Sequence, residues 1–341
     1  MKKPKILIIY TGGTIGMIND PETNMLKPFD FDQITKEVPE LMKIKCSLDA
    51  VSFKKPIDSS NMNLKIWKKL GDYIWKNYEK YSGFVILHGS DTMAYTASAL
   101  SFMFKNLTKP IIFTGSQLPI GTIRTDGKEN LITAIEIAST LKNGVSLIQE
   151  VAIYFEYQLY RANRTTKVSS EDFEAFKSFN YPTLAEAGIH IKFNERHLLR
   201  PKDVKTTYNA AFDSNLAIVH LFPGIDLDNF QYAIGNPKIR AIILLTFGSG
   251  NAPTDSSFLK ILKEQLKKGK VIINLTQCNG GSVQQGKYET SDQLLKMGVV
   301  GAKDMTLESV ITKLMIILGQ YKSENEIKKA FVKSISGEIL E

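Results

Sequence analysis

Residues 5–17 read Lys-Ile-Leu-Ile-Ile-Tyr-Thr-Gly-Gly-Thr-Ile-Gly-Met, and no other stretch constrains the fold as strongly. The continuous apolar run Ile6–Ile9 has the length of a strand buried on both faces, as in a parallel sheet covered by helices. Thr11-Gly12-Gly13-Thr14 breaks the run. Two glycines let the backbone turn sharply and come close to a ligand, and Thr11 and Thr14 place hydroxyls at the turn. In open α/β sheets ligands gather outside the carboxyl ends of strands. Thr14 is therefore either a nucleophile or, more plainly, a cap on the segment that follows.

The same design recurs along the chain. Phe84–Leu87 reads as a buried strand ending in His88-Gly89-Ser90-Asp91-Thr92, with a helix over 93–105. Ile111–Phe113 ends in Thr114-Gly115-Ser116-Gln117, a glycine-containing exit suited to offering backbone amides to a developing oxyanion. A helix over 128–141 follows, with Asp126 as its expected cap, and Val151–Phe155 reads as a fourth strand. Two Gly-hydroxyl turns in successive α/β units point to a shared crevice. Asp58-Ser59-Ser60-Asn61-Met62-Asn63 precedes a helix marked by Leu64, Trp67, Leu70, Ile74 and Trp75. Asn61 or Asn63 suffices to cap it. That leaves Asp58, Ser59 and Ser60 as candidates for holding a zwitterion. The polar loop 18–32 reads equally as a lid over Thr14 and as a surface excursion.

Residues 193–213 lose the strand–helix rhythm and read as a linker. The expected division is therefore an amino-terminal α/β domain over 1–192 and a smaller α/β domain over 214–341, both with mainly parallel sheets. In the second, strands are expected at 216–222, 239–246 and 271–276, with a short one near 299. Helices are expected near 255–268, 306–319 and 324–334. No internal repeat is visible.

Composition excludes several function classes. Lys+Arg 43 against Asp+Glu 35 gives a net charge of +8, spread rather than packed into a stripe interleaved with aromatics, which argues against nucleic acid. Two cysteines, Cys46 and Cys278, build neither a disulfide framework nor a metal site. No stretch approaches the roughly 18 apolar residues of a membrane span. The apolar run after the basic start is too short for a signal peptide; the expected compartment is the cytoplasm. P-loop, Gly-x-Gly-x-x-Gly and Gly-x-Ser-x-Gly signatures are absent. The four histidines are scattered, and His220 lies in an apolar strand as a core residue would. No His-carboxylate set argues for a metal.

What remains is Thr14, Ser90, Asp91 and Lys167. Lys167 lies in Tyr160-Arg161-Ala162-Asn163-Arg164-Thr165-Thr166-Lys167. A run with three cations is ordinarily a solvated face. A lysine drawn into a crevice of hydroxyls and carboxylates would instead carry protons, because burial lowers its pKa from about 10.4. Such a set runs acyl transfer without a cofactor: a hydroxyl attacks a carbonyl, the lysine takes a proton, and amides hold the oxyanion.

At these residues the chain resembles the bacterial L-asparaginases, most closely their cytoplasmic (type I) branch. The resemblance rests on Tyr10–Met17, Asp58–Ser60, Gly83–Thr96, Thr114–Gln117, Asn163–Lys167, Gly250–Pro253 and Asn274–Cys278, and runs nearly end to end. Thr-Gly-Gly-Thr and His-Gly-x-Asp-Thr are highly specific together and modest apart. The resemblance implies two α/β domains and hydrolysis of L-asparagine to L-aspartate and ammonia with no cofactor. It implies Thr14 as nucleophile, a Ser90-Asp91-Lys167 relay, and substrate binding by Asp58, Ser59, Ser60, Ser90 and Asp91. It also implies a homodimer or homotetramer whose sites are completed across subunits, with Asn251 entering from a neighbouring chain.

Three departures stand out. Ser90 replaces the second catalytic threonine usual in the family. The lid carries Met25 and Leu26 where a tyrosine is common, so the group that activates Thr14 is open. Leu245 occupies the position of an arginine in cooperative type I enzymes, while Thr166 and Cys278 match neighbours of that effector site. Rival activities are a glutaminase-asparaginase, an ammonia-supplying amidotransferase subunit and a non-catalytic amino-acid sensor. The amidotransferase subunit normally has an extra amino-terminal domain, whereas this chain begins at the first strand. Retention of the hydroxyls, Asp91 and Lys167 argues against the sensor.

Overall fold

A computed structural model describes residues 3–19, 26–28, 38–201, 204–286 and 289–340. The chain forms two compact units, Met1–Asn209 and Ala210–Glu341.

In the first unit β1 (Lys5–Tyr10), β2 (Ser47–Ser52), β3 (Gly83–Leu87), β4 (Ile111–Thr114) and β5 (Val151–Phe155) run parallel. Their spatial order is β5-β4-β3-β1-β2. The apolar runs fill the sheet because helices cover it. Ile6, Ile8, Val85, Ile112 and Ala152 are fully buried, with Leu131, Ala134 and Ile135 in the same core. Burying each large aliphatic side chain contributes about 1.5–3 kcal/mol. The helices are α1 (Leu64–Asn77), α2 (Met93–Met103) and α3 (Gly127–Ser139). Asn63 caps α1, its side chain accepting from the Lys65 and Ile66 amides.

Beyond β5 the sheet turns antiparallel through β6 (Gln158–Arg161), β7 (Ala185–Glu186) and β8 (Lys192–Phe193). The sheet is thus mixed, parallel over five strands, of which β1, β3 and β4 carry the Gly-hydroxyl turns. The stretch 193–213 is partly integrated into the first unit. Phe193 pairs with Ala185, and Thr207–Tyr208 pair with Phe104–Lys105. A buried Arg161–Glu150 ion pair at 2.7 Å holds the stretch as well, through the His197 carbonyl and the Leu199 amide.

The second unit has a parallel sheet in the order β9 (Leu216–His220), β10 (Ala241–Thr246), β11 (Val271–Thr276) and β12 (Val300–Gly301). Its helices are α4 (Leu227–Gly235), α5 (Ser256–Lys267), α6 (Glu289–Lys296), α7 (Leu307–Gln320) and α8 (Glu324–Phe331). His220 is exposed and not in the core as expected, because β9 ends one side of this sheet. Among the described residues no helix is long and apolar enough to cross a membrane.

Candidate active site

The site is assembled where β1, β3 and β4 end. Past β1, the Thr11 amide and hydroxyl both donate to the Leu87 carbonyl, at 3.0 and 2.9 Å. Thr11 is buried, so its hydroxyl ties β1 to β3 and is not the one offered to a ligand. Gly12 and Gly13 have φ of 141° and 93°, which side chains rarely adopt. A Cβ on Gly12 would collide with the Ile57 carbonyl, and one on Gly13 with the Gly89 amide. The glycines therefore let the Thr14 turn press against two other loops. Thr14 opens a single turn of 3-10 helix, Thr14–Gly16, and is half-buried.

The second loop is Ile57–Ser60, held to the first by an Ile57 N–H to Thr11 carbonyl bond of 2.9 Å. Asp58 is surplus to the cap of α1, which Asn63 supplies, but has a capping role of its own. Its Oδ1 accepts from the Ser60 amide and hydroxyl, each at 2.9 Å, and so caps the 3-10 turn Ser59–Asn61. These bonds hold its carboxyl below the usual carboxylate range. Ser59 is buried against Gly89, and its carbonyl accepts from the Thr92 hydroxyl at 2.7 Å. Ser60 is exposed.

The third loop, Ser90–Thr92, is one 3-10 turn running into α2. Lys167 Nζ donates to Ser90 Oγ at 2.9 Å and to Asp91 Oδ1 at 2.7 Å. Ser90 Oγ in turn donates to Gln117 Oε1 at 3.2 Å. The Lys167 side chain is 16% exposed and that of Asp91 65%. Lys167 arrives on a two-residue ladder, Thr166–Lys167 against Phe176–Lys177, after the buried turn Ala162–Arg164. None of the three cations forms a solvated face: Arg161 pairs with Glu150, buried Arg164 donates to the Asn180 carbonyl, and Lys167 meets Ser90.

Gln117 is a neighbour of Ser90 that sequence reasoning treated only as part of a glycine-containing exit. The expectation that this exit supplies oxyanion donors fails for its Gln117 amide, and the next amide, of Leu118, is spent in the same way. Gln117 N and Leu118 N donate to the Asp126 carboxylate, at 2.9 and 3.1 Å. Asp126 stands at the N-cap position of α3, but its side chain does not cap the helix; the Gly127 amide is met by the Thr125 hydroxyl instead. Burial raises the Asp126 pKa. His88, next to the Ser90 turn, is fully buried and donates from Nδ1 to the Gly89 carbonyl, 2.7 Å away. Burial pushes its pKa down to about 4, and with Nδ1 committed to Gly89 and Nε2 meeting no hydrogen-bond partner it bonds to no serine or aspartate among the described residues.

Thr14, Ser59, Ser90, Asp91 and Lys167 are thus carried by loops in mutual contact, with Asp58 and Ser60 on the same Ile57–Ser60 loop. Asn251 lies in the second unit, in a turn closed by pairing of Phe247 with Asn251. Apart from the paired segments Met17–Asn19 and Leu26–Pro28, the expected lid and Met25 lie outside the described residues. Among the described residues no group of three or more His, Cys, Asp or Glu could hold a metal.

Residues 5–199 match the model of the asparaginase amino-terminal domain, and residues 215–331 that of the glutaminase/asparaginase carboxy-terminal domain. The chain belongs to the asparaginase family. Its relatives include L-asparaginase 1 of Escherichia coli strain K12, 39% identical over 340 residues that cover 99% of both chains. L-asparaginase I of Vibrio cholerae is similar in structure, with a TM-score of 0.89 at 37% identity, covering 99% of this chain and 100% of that one. The thermostable L-asparaginase of Thermococcus kodakarensis gives 0.90 at 30% identity, covering 99% of each chain. The family's two-domain α/β organisation is the one described here.

Proposed function

We propose that this chain is a cytoplasmic L-asparaginase that hydrolyses L-asparagine to L-aspartate and ammonia without a cofactor, working as a homodimer or homotetramer. The observation that carries the reading is the Lys167 ammonium bridging Ser90 Oγ and Asp91 Oδ1, at 2.9 and 2.7 Å, in an asparaginase-family chain. Thr14 is the nucleophile. Its Oγ attacks the side-chain amide carbon, the C–N bond breaks, and the nitrogen leaves as ammonia after gaining a proton. Water then opens the Thr14 ester, releasing aspartate and restoring the hydroxyl.

Ser90, Asp91 and Lys167 move the protons. As an ammonium Lys167 is the acid form, with N–H groups for both partners. After loss of one proton Lys167 becomes an acceptor, and the Ser90 hydroxyl can turn from Gln117 to it. Asp58, Ser59, Ser60, Ser90 and Asp91 hold the amino acid, and Asn251 of a neighbouring copy completes the site. Support for Asp58 is its ionised state, which suits an ammonium.

The purified chain alone releases ammonia from asparagine and none from buffer, with no sensitivity to chelators. Thr14→Ala removes nearly all turnover while the folded structure persists, since loss of a nucleophile costs about 10⁵–10⁶ in kcat. Retention of more than a few per cent of the rate by that variant would reassign the nucleophile.

A further inference from the structure

Strand β11 is apolar except at Asn274 and at its final residue, Thr276. Asn274 is fully buried, as is Thr246 at the end of β10. An amide inside a sheet is costly unless its atoms are paired. Here both ends are used. Thr246 Oγ donates to Asn274 Oδ1 at 2.6 Å, and Asn274 Nδ2 donates to the Gly250 carbonyl at 2.9 Å. The first bond fixes which way the amide faces; the second spends it on the turn that carries Asn251.

That turn is already closed by its own backbone. Phe247 N donates to the Asn251 carbonyl at 2.9 Å and Asn251 N to the Phe247 carbonyl at 2.8 Å. It is nonetheless tied down at three consecutive carbonyls. Gly248 O accepts from Thr276 Oγ at 2.5 Å, Ser249 O from Gln284 N at 2.9 Å, and Gly250 O from Asn274. Gly250 adopts φ of 107°, and a Cβ there would collide with Val283. Stability alone does not require such a network, since replacing both partners of a buried polar pair by apolar groups of similar shape is often neutral for the fold. Buried polar support of this kind serves the accurate placement of a presented side chain.

We propose that Asn274, oriented by Thr246, is a positioning residue that sets the Phe247–Asn251 turn so that Asn251 reaches asparagine bound in a neighbouring copy. This rests on the role given to Asn251 above. Asn274 acts through Asn251 and touches no substrate itself.

The test is a double-mutant cycle on the full-length chain, with kcat and KM for asparagine, thermal unfolding and assembly size measured for each variant. Asn274→Leu raises KM about tenfold, the factor that one lost polar contact to a ligand carries, with kcat within about threefold. The pair Thr246→Val/Asn274→Leu keeps the unfolding temperature and assembly of the parent yet shows the same raised KM. On an Asn251→Ala background, Asn274→Leu raises KM no further, because the two act through one contact. The proposal is overturned if Asn274→Leu leaves KM within about twofold, or if its factor multiplies onto that of Asn251→Ala. Should Asn274→Leu fail to fold, Thr246→Val, which loses only one donor, carries the same cycle. If Asn251→Ala itself leaves KM unchanged, the role of Asn251 falls, which is a different signature from failure of the positioning role alone.

Discussion

Replacing Lys167 by methionine separates chemistry from binding and from stability. The change removes the ammonium that donates to Ser90 Oγ and Asp91 Oδ1 and keeps an unbranched side chain of similar length. Positioned acid–base groups contribute about 10²–10⁴ to rate, so kcat falls by that factor, or roughly 2.7–5.4 kcal/mol of barrier. The stability cost is much smaller. The Asp91 side chain is 65% exposed, so water replaces most of what the ion pair supplies. A pair of that exposure is worth at most about 1 kcal/mol, which lowers the unfolding temperature by no more than about 2–4 °C. KM changes by less than about threefold, because the lost interaction belongs to the transition state. The assay is the initial rate of ammonia release across asparagine concentration, beside calorimetry on the same preparation. Raised KM with kcat preserved would refute the reasoning and reassign Lys167 to substrate capture. A fall in unfolding temperature beyond about 10 °C would refute the solvent-screened estimate.

Ser90→Thr retains most activity, since it keeps the hydroxyl that meets Lys167 and Gln117, whereas Ser90→Ala loses about 10² or more in kcat; equal behaviour of the two variants would remove position 90 from the chemistry. His88 has a folded pKa near 4 against about 6.5 when unfolded, so between those values the unfolded chain binds the extra proton and stability falls as pH drops, by up to ~3 kcal/mol. His88→Asn removes that component, and an unchanged acid-side slope of unfolding temperature would contradict it. Leu245 is buried and apolar, so it cannot pair an effector's carboxylate as an arginine does; a bidentate pair is worth as much as a typical coupling of about 1–3 kcal/mol. The rate against asparagine over three decades of concentration is accordingly hyperbolic, and a clear sigmoid would show that another cation serves.

The parts of the fold legible in the sequence are those where local pattern and tertiary environment agree. Ile6–Ile9, Phe84–Leu87, Ile111–Phe113 and most of Val271–Thr276 are apolar because both faces of those strands are buried. Less legible was β6, whose hairpin turns on Glu156 and Tyr157, both with positive φ and neither glycine nor asparagine. That turn is held from outside, the Glu156 amide donating to Asn130 Oδ1 at 3.1 Å. Strand β2, at one end of its sheet and partly exposed, shows no apolar run.

Thr14, Ser90 and Asp91 are visible as residue types because glycine turns at strand ends are unusual in one dimension, whereas Lys167 stands in a run of cations that ordinarily reads as a solvated face. Which hydroxyl is spent on structure is not visible there. Thr11 and Thr14 stand three positions apart, yet only the packing of β1 on β3 commits the Thr11 hydroxyl to the Leu87 carbonyl. The same holds for Asp126, which the chain order offers as a helix cap and the fold turns onto the Gln117 and Leu118 amides. Lys167 meets Ser90 across 77 positions only because the antiparallel end of the sheet and the Ala162–Arg164 turn bring it back. The sequence by itself determined the buried strands, the glycine turns and the kinds of chemistry available, since these follow from local sterics and hydrophobic pattern. The partner of each polar group was decided by tertiary structure, because a hydrogen bond depends on distance in space and direction, and neither is a property of position along the chain.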